Sequence, residues 1–501
     1  MTVISEEFSG EITVASTIVD YLSSGLYENP AACLKELVNN SYDADAELVR
    51  VFVKPDADAI VIEDDGDGFT AAEFRAHFSR IARSTKRDDS DVTAKGRKKI
   101  GKIGIGFIAA NEICDLLEVH STRRGSTELM KVVIDFAVMR EPAEARRASG
   151  SEDVKKADYR GTIDEVGEAE HFTRLFLTRV RGRAAEVLAG AKPKSGGSAA
   201  GSLYGLNPAS VKEVLAGPGL SSWSELDAYS ETRLQIAANV PIDYHDGFVR
   251  SKRHLAKLAP FVERTKALGF RVEYDGAEVR KPVVFSGAPS DSIVSVFDRE
   301  GEHIQVSGYF FAEHGTLRPT ELNGVLIRIR EAAVGSWDPT FLGFPRQINT
   351  LFQRWTSGEV WVSDELEEAM NIDRRTLRET HPAYVELQRI VHSEVRDITD
   401  RARRELYGAH AEERRRDKAS QQSDLLREAI SDAAVGLPKA AGSRVERTLD
   451  EALAHARSNE LVKRFTVGAL FELIVDVAEE VLDPLDRERF LSALMARVFK
   501  R

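Results

Sequence analysis

Residues 96–107 read GRKKIGKIGIGF, and three glycine-rich patterns overlap in that run. Each demands different neighbours. From Gly96 the run is G-x-x-x-x-G-K-x, a phosphate-loop pattern whose last position should be a Mg²⁺-holding Ser or Thr but is Ile103. From Gly104 it is G-x-G-x-x-A, a dinucleotide fingerprint that belongs after an apolar strand, whereas the basic run from Lys95 to Lys99 precedes it here. From Gly101 it is G-x-x-G-x-G. Glycine clusters are common, so the choice among the three, and with it the fold, falls to the flanking chain.

Residues 15–47 read as two helices joined at YENP. In the second, KELVNNSYDADA, Leu34, Leu37 and Val38 fall on one side, while Glu36, Asn40 and Asp43 recur at i, i+4 and i+7 on the other. Short β-rich runs follow at LVRVFV, AIVIED, LLEVHST, ELMKVVIDF and FTRLFLTRV. Tight turns such as RRGS join several of them and predict antiparallel neighbours. Helices before and between antiparallel strands point to an α+β sandwich, not to strict βαβ alternation, which counts against the first two patterns.

A chain of 501 residues is long enough for two to four domains. The expected division is 1–245, 246–405 and 406–501. Within the first part, KPKSGGSAAGS (Lys192–Ser202) is small and polar and reads as an insertion. After residue 245 a helix, strands around FRVEYDG, HIQVSGYFF and GVLIRIR, and helices from about 365 onward predict a second α/β domain; the remainder reads as a helical module. No run approaches the ~18 apolar residues that span a bilayer. The opening MTVISEEFSGEITVAS is acidic, without a basic apolar signal region, and predicts a cytoplasmic protein with no membrane partner. Cys33 and Cys114 both sit among apolar residues, with no C-x-x-C pattern, and are expected to be small core residues. The net charge of −12 argues against a surface devoted to unspecific nucleic-acid binding. RSKRHLAK (Arg250–Lys257) and RRRDK (Arg414–Lys418) are local exceptions, although such runs are ordinarily solvated helix faces.

Two features carry chemistry. The polar face of Glu36, Asn40 and Asp43 is either a solvated surface or a site in which Glu36 activates a water and the Asn40 oxygen ligates Mg²⁺, a hard cation that takes oxygen ligands and keeps waters. VIEDDGDGF ends an apolar strand in Asp64 and breaks at Gly66 and Gly68. A calcium loop beginning at Glu63 places Gly68 correctly but puts Phe74 where a bidentate Glu is required, so calcium is disfavoured. A carboxylate at a strand end beside two glycines instead suits a flat base, whose exocyclic amino group it accepts while the glycines leave room.

In this order the pieces resemble the GHKL ATPases, the superfamily of type II topoisomerases, the ninety-kilodalton heat-shock chaperone, histidine kinases and MutL, with the related MORC proteins. ELVNNSYDA is similar to the first box, DDGDG to the second and IGKIGIGFIAA to the third. The resemblance thus selects the Gly101 pattern. It implies that Gly101, Lys102, Gly104 and Gly106 close on the phosphates of ATP, with RSTKRDDSDVTAKGRKK as the lid, and that Asp64, Gly66 and Gly68 hold adenine. It also implies Asp43 among the nucleotide-binding residues, Asn40 on Mg²⁺ and Glu36 on the attacking water. The fourth box is usually Gly-Thr before a strand; HFTRLFL puts Thr173 there with Phe172 in place of the glycine, while Gly161-Thr162 lacks a following strand pattern. The presence of Glu36 and the little room before it for a phosphoacceptor helix argue for ATP hydrolysis, not self-phosphorylation. No acidic metal cluster with an active tyrosine suggests a topoisomerase.

Further along, NGVLIRIREAAVG and SGEVWVSDELEEAMNIDRRTL resemble the chaperone's middle, transducer-like domain, in which an arginine after an Asn-x-x turn reaches the γ-phosphate. Arg374 holds that place; otherwise Arg374, Arg375 and Arg378 form a basic solvated helix. The apolar stretch SWDPTFLGF (Ser336–Phe344) is either a protein-contact surface or a buried loop. The resemblance, which covers about residues 1–400, implies an ATP-driven cycle in an ATP-dependent homodimer acting on a protein partner in the manner of a chaperone. A nucleic-acid clamp like MORC or MutL is the alternative, and a nucleotide-binding scaffold without turnover a third.

Overall fold

The computed structural model describes residues 29–53, 59–78, 91–101, 109–139, 159–167, 170–190, 201–345, 350–371, 375–408, 427–458 and 467–498. By its internal contacts the chain forms two units, residues 1–406 and 407–501.

The first unit is α+β and contains two sheets. The larger, with order β5-β4-β3-β6-β2-β1-β7-β8, comprises β1 (Leu48–Phe52), β2 (Ala59–Asp64), β3 (Cys114–Thr122), β4 (Glu128–Asp135), β5 (Tyr159–Glu165), β6 (Phe172–Val180), β7 (Arg271–Tyr274) and β8 (Ala277–Glu278). All pairs from β5 to β1 are antiparallel, as the tight turns imply, and the β3–β4 hairpin closes at Gly125 with φ +75°. Burial alternates strictly along β1 and β2, the signature of a sheet covered by helices on one face only. Helix α1 (Pro30–Asp43) lies on that face with Leu34, Leu37, Val38 and Tyr42 in its core, while α2 (Ala71–Phe78) follows the β2 loop and α3 (Gly182–Leu188) follows β6. Asn29 caps α1 by accepting the Ala32 N–H (2.9 Å), and Pro30 begins it where its missing N–H costs nothing. Cys33 and Cys114 are both buried thiols, and burial pushes the Cys33 thiol well up.

Two sequence expectations shift here. β5 reads YRGTIDE, exposed along its whole length at the sheet edge, so no alternation of burial marks it as a strand in the sequence. β7, expected in a second domain, instead extends the first sheet, pairing in parallel with β1 from Leu48↔Arg271 to Val51↔Tyr274. The sheet therefore continues beyond residue 245.

Between β6 and β7 the chain forms α4 (Pro208–Ala216), α5 (Ala228–Asn239) and α6 (Lys252–Lys266). The second sheet, of order β12-β11-β13-β10-β9, is built from β9 (Ser292–Glu300), β10 (Gln305–Glu313), β11 (Gly324–Ile329), β12 (Ala332–Asp338) and β13 (Thr356–Val362). Strands β11 and β13 are buried throughout because both faces are covered. One face meets α7 (Pro382–Arg401) through Leu387, Val391 and Ile398, and the other meets Leu215, Leu258 and Phe285. At its centre Arg328 is completely buried: it donates to Glu359 (2.5 Å) and to the carbonyl of Ala238 (3.0 Å), at the end of α5. Tyr244 and Tyr309 each donate to the same Glu359 (2.7 Å). A carboxylate that accepts from three donors sheds little of its solvation energy on burial.

The segment from 364 is not a helix at first but a 3-10 turn, Asp364–Ala369, and α7 begins only at Pro382. Arg375 and Arg378 lie in the irregular stretch between, not on a basic helix; Arg378 donates from its backbone to Ala369 (2.7 Å). The aromatic side chains of SWDPTFLGF are buried, Phe341 and Phe344 in one core and Trp337, 6% exposed, in the other, while Ser336, Pro339 and Gly343 face outward, so the stretch offers no aromatic contact surface. The second unit contains α8 (Lys439–Ser458), α9 (Val467–Val481) and α10 (Pro484–Val498) around Val445, Leu449, Ile474 and Phe490. Among the described residues no helix is long and apolar enough to cross a membrane.

Candidate nucleotide site

The described length of α1 is mostly buried, and its partly exposed residues, Ala32, Glu36, Asn40 and Asp43, form one stripe at helical spacing. The three polar groups expected to share a face do share one. Glu36 meets Lys35 (3.4 Å), which the apolar neighbourhood buries beside it. A small void bounded by Glu36, Asn39, Ile100, Ile329, Ala332 and Met370 lies between this stripe and the β11–β12 hairpin. The amide of Asn40 makes no side-chain hydrogen bond among the described residues, so its oxygen is available to a hard cation, and the donor set fits Mg²⁺. Asp43 is engaged differently from the expectation. Its two oxygens accept the N–H groups of Ile100 (2.7 Å) and Gly101 (2.8 Å), so it anchors the start of the glycine box, and the Gly101 N–H, expected to meet phosphate, is spent on Asp43.

Asp64 closes β2 beneath this helix. It is 6% exposed, accepts the Ser41 hydroxyl (2.7 Å) and the Gly66 N–H (3.0 Å), and burial pushes its carboxyl up to about 6 against those two hydrogen bonds. In register with it on β6 stands Thr173, so the two side chains leave the same face of the sheet. Thr173 shares a hydrogen bond with Ser121 (2.9 Å), which also accepts the Phe69 N–H (3.1 Å) and so pins the loop to β3. Thr162 is instead paired with Lys131 at the exposed edge, far along the strand order from β2. The two glycines have separate reasons. A Cβ on Gly66 would come within 2.7 Å of the Ala44 carbonyl oxygen, and Gly68 has φ +66° with the Thr122 carbonyl where its Cβ would be.

Lys102, Gly104, Gly106 and Arg374 lie outside the described residues, as do Arg83–Ser90 of the expected lid and the basic run 414–418. The described end of that lid, Asp91–Gly101, is held from several sides. Thr93 donates to Asp45 (2.5 Å), and Arg97, buried over the ring of Tyr42, donates to the carbonyls of Ala46 (2.5 Å) and Leu268 (2.9 Å). Ser41, Ser121 and Arg97 escaped sequence reasoning. A hydroxyl on the buried side of an otherwise apolar helix is a signal for the first, whereas nothing distinguishes Arg97 from its basic neighbours until the fold places it. A cleft of about 840 Å³ lies elsewhere, lined by Lys95, Arg97, Arg264, Ser307, Trp361 and Asp364. It includes neither Asp64 nor Thr173.

Residues 27–173 match the family described as histidine kinase-, DNA gyrase B- and HSP90-like ATPase. Among curated proteins, a putative type II restriction enzyme, HgiDII, of Herpetosiphon aurantiacus is 31% identical over 179 residues, 34% of this chain and 29% of that protein. The chaperone protein HtpG of Pseudoalteromonas translucida is 30% identical over 149 residues, and that of Bacillus subtilis 28% over 147, each covering 25% of this chain and 23% of the chaperone. The chain thus spans less than a third of each of these relatives. Residues 27–173, which carry Glu36, Asn40, Asp43, Asp64 and Thr173, thus form a GHKL-type ATPase domain, like those of histidine kinases, DNA gyrase B and HSP90.

Proposed function

We propose that this protein binds ATP with Mg²⁺ at the end of the first sheet, hydrolyses it, and uses the cycle to remodel or clamp a protein partner. One observation carries the nucleotide reading: Asp64 and Thr173 stand side by side in register, and Asp64 accepts the Ser41 hydroxyl of the same helix that presents Glu36 and Asn40. The ionised Asp64 accepts the adenine amino group, and Gly66 and Gly68 let the ring approach. Bound Mg²⁺ would neutralise charge on the phosphate oxygens, with Asn40 supplying an oxygen ligand. Glu36 orients and polarises the attacking water, and Arg374 senses the γ-phosphate from the segment between Met370 and Arg375. Met370 borders the same void as Glu36, which supports that assignment. The likeness to proteins named as HtpG chaperones supports a protein partner, and an ATP-dependent homodimer completes this reading.

A nucleic-acid clamp is the second reading. The named restriction-enzyme relative favours it, as do Arg250, Lys252, Arg253 and Lys257, exposed at the start of α6 with no ion pair among the described residues. Calorimetric titration with ATP and phosphate release, with and without duplex DNA across a salt series, test both. Glu36→Ala should keep ATP affinity and lose about 10²–10⁴ in turnover, the usual worth of a general base. Normal hydrolysis by that variant removes Glu36 from the mechanism. DNA stimulation at ~0.15 M salt that vanishes in Arg250→Glu/Lys252→Glu makes the clamp the better reading, since phosphate contacts are what salt and charge reversal both abolish.

A further inference from the structure

We propose that Arg330 is a positioning residue that makes the glycine box and the second sheet act as one body, so that the state of the phosphate loop is felt across the first unit. The inference rests on the ATP-site reading and adds to it the route by which the second sheet takes part.

Arg330 sits at the tip of the β11–β12 hairpin with φ +51°, followed by Glu331 at φ +70°. Consecutive left-handed residues make a tight two-residue turn, a conformation that neither an arginine nor a glutamate favours. What holds the turn is its side-chain chemistry. The Arg330 side chain is 1% exposed and donates to the Lys99 carbonyl (2.6 Å), while ion-pairing with Asp91 (3.3 Å), Asp364 (3.4 Å) and Glu367 (3.4 Å). Glu331 is held by the Trp361 indole N–H (2.9 Å) and by Arg264.

The partners of Arg330 divide into two groups. Asp91 and Lys99 belong to the segment that ends in Gly101, one residue beyond Ile100, and both of those N–H groups are fixed by Asp43 of α1. Asp364 and Glu367 belong to the 3-10 turn after β13, which leads directly to Met370 and Asn371. Lys98 adds a second strand to the link through Asp364 (3.0 Å). One planar cation with several donors in a fixed fork thus bridges the approach to the phosphate loop and the approach to the γ-phosphate-sensing segment. Lysine, a point charge, cannot satisfy a carbonyl and three carboxylates at once.

The test compares wild type, Arg330→Met and Arg330→Lys by ATP calorimetry, by kcat and KM for phosphate release, and by amide exchange of residues 91–101 with and without a non-hydrolysable ATP analogue. The expected result is ATP affinity within about threefold of wild type, kcat lower by tenfold or more in Arg330→Met, a partial return in Arg330→Lys, and loss of the analogue's protection of 91–101 in the Met variant. Where Arg330→Met does not fold, Lys98→Met and Asp91→Asn carry the test, both positions being exposed; each should lower kcat with KM unchanged. A folded Arg330→Met chain with unchanged kcat and unchanged protection, or unchanged kcat in both substitutes, overturns the inference while the ATP reading stands. A wild-type chain that binds no ATP overturns both.

Discussion

Asp64→Asn separates the two demands placed on one buried carboxylate. The carboxylate accepts from Ser41 and from Gly66, and the asparagine keeps both bonds if its oxygen faces the Gly66 N–H and its amide faces the Ser41 hydroxyl, which can turn to accept. The fold therefore tolerates the change. It also removes an ionisation cost, because burial raises the Asp64 carboxyl from 3.8 to about 6. A raised acid pKa means that the folded chain binds the proton more tightly than the unfolded one, so wild-type stability falls as pH rises between those values. About two pKa units correspond to roughly 3 kcal/mol at pH 7, an upper bound on what the asparagine recovers. ATP binding should move the other way: loss of a charge-assisted hydrogen bond to the adenine amino group costs about 1.5–3 kcal/mol, or roughly 10- to 150-fold in affinity. Urea unfolding of both chains from pH 4 to 8, beside calorimetric titration with ATP, reads both quantities. The variant should match wild type near pH 4, exceed it at pH 7, and bind ATP more weakly throughout the neutral range. A variant less stable than wild type at pH 7, or one that binds ATP as tightly, refutes the assignment of Asp64 as a buried acceptor for the base.

Gly68→Ala should cost at least ~2 kcal/mol of stability, because an alanine meets both the left-handed backbone and the Thr122 carbonyl, and a thermal melt within a degree of wild type would contradict that geometry. Lys281→Met should stabilise the chain at pH 7: burial pushes that ammonium, which stands over the Tyr244 ring with Arg328, Glu359, Glu331 and Asp243 around it, down to about 7. Since the folded value lies below the unfolded one, wild-type stability should rise from pH 7 towards 10.5 and the gain should shrink, which denaturant unfolding across that range checks. Trp337→Ala should lower stability by about 3–5 kcal/mol as a core truncation, and a folded, equally stable variant defective only in partner binding would reverse that reading. Truncation after residue 245 should give an aggregating fragment, because it removes the β7 partner of β1 and strips Tyr244 of Phe248 and Phe285; soluble, cooperative unfolding of that fragment would count against a continuous first sheet.

The sequence by itself determined the helix of Glu36, Asn40 and Asp43, the antiparallel strands β1 to β4 and β6, the strand-end Asp64 and the choice of glycine pattern. These are local facts: side-chain periodicity along one element decides which residues share a face, and turn chemistry decides which strands are neighbours. The sequence already favoured Thr173 over Thr162, but only the tertiary structure decided that Thr173 lies in register with Asp64 while Thr162 stands on an edge strand, since strand order and register are set by non-local pairing. The same holds for β7, whose sequence is an ordinary strand but whose partner, β1, is more than two hundred residues away. Trp337 and Phe341 look like a sticky loop until two cores close over them. Arg97 sits in the basic run from Lys95 to Lys99 and Arg330 at the end of GVLIRIR, and the burial of both follows from carbonyls and carboxylates contributed by distant segments. A buried cation is specified by its partners, and partners far apart in the chain leave no local trace in sequence.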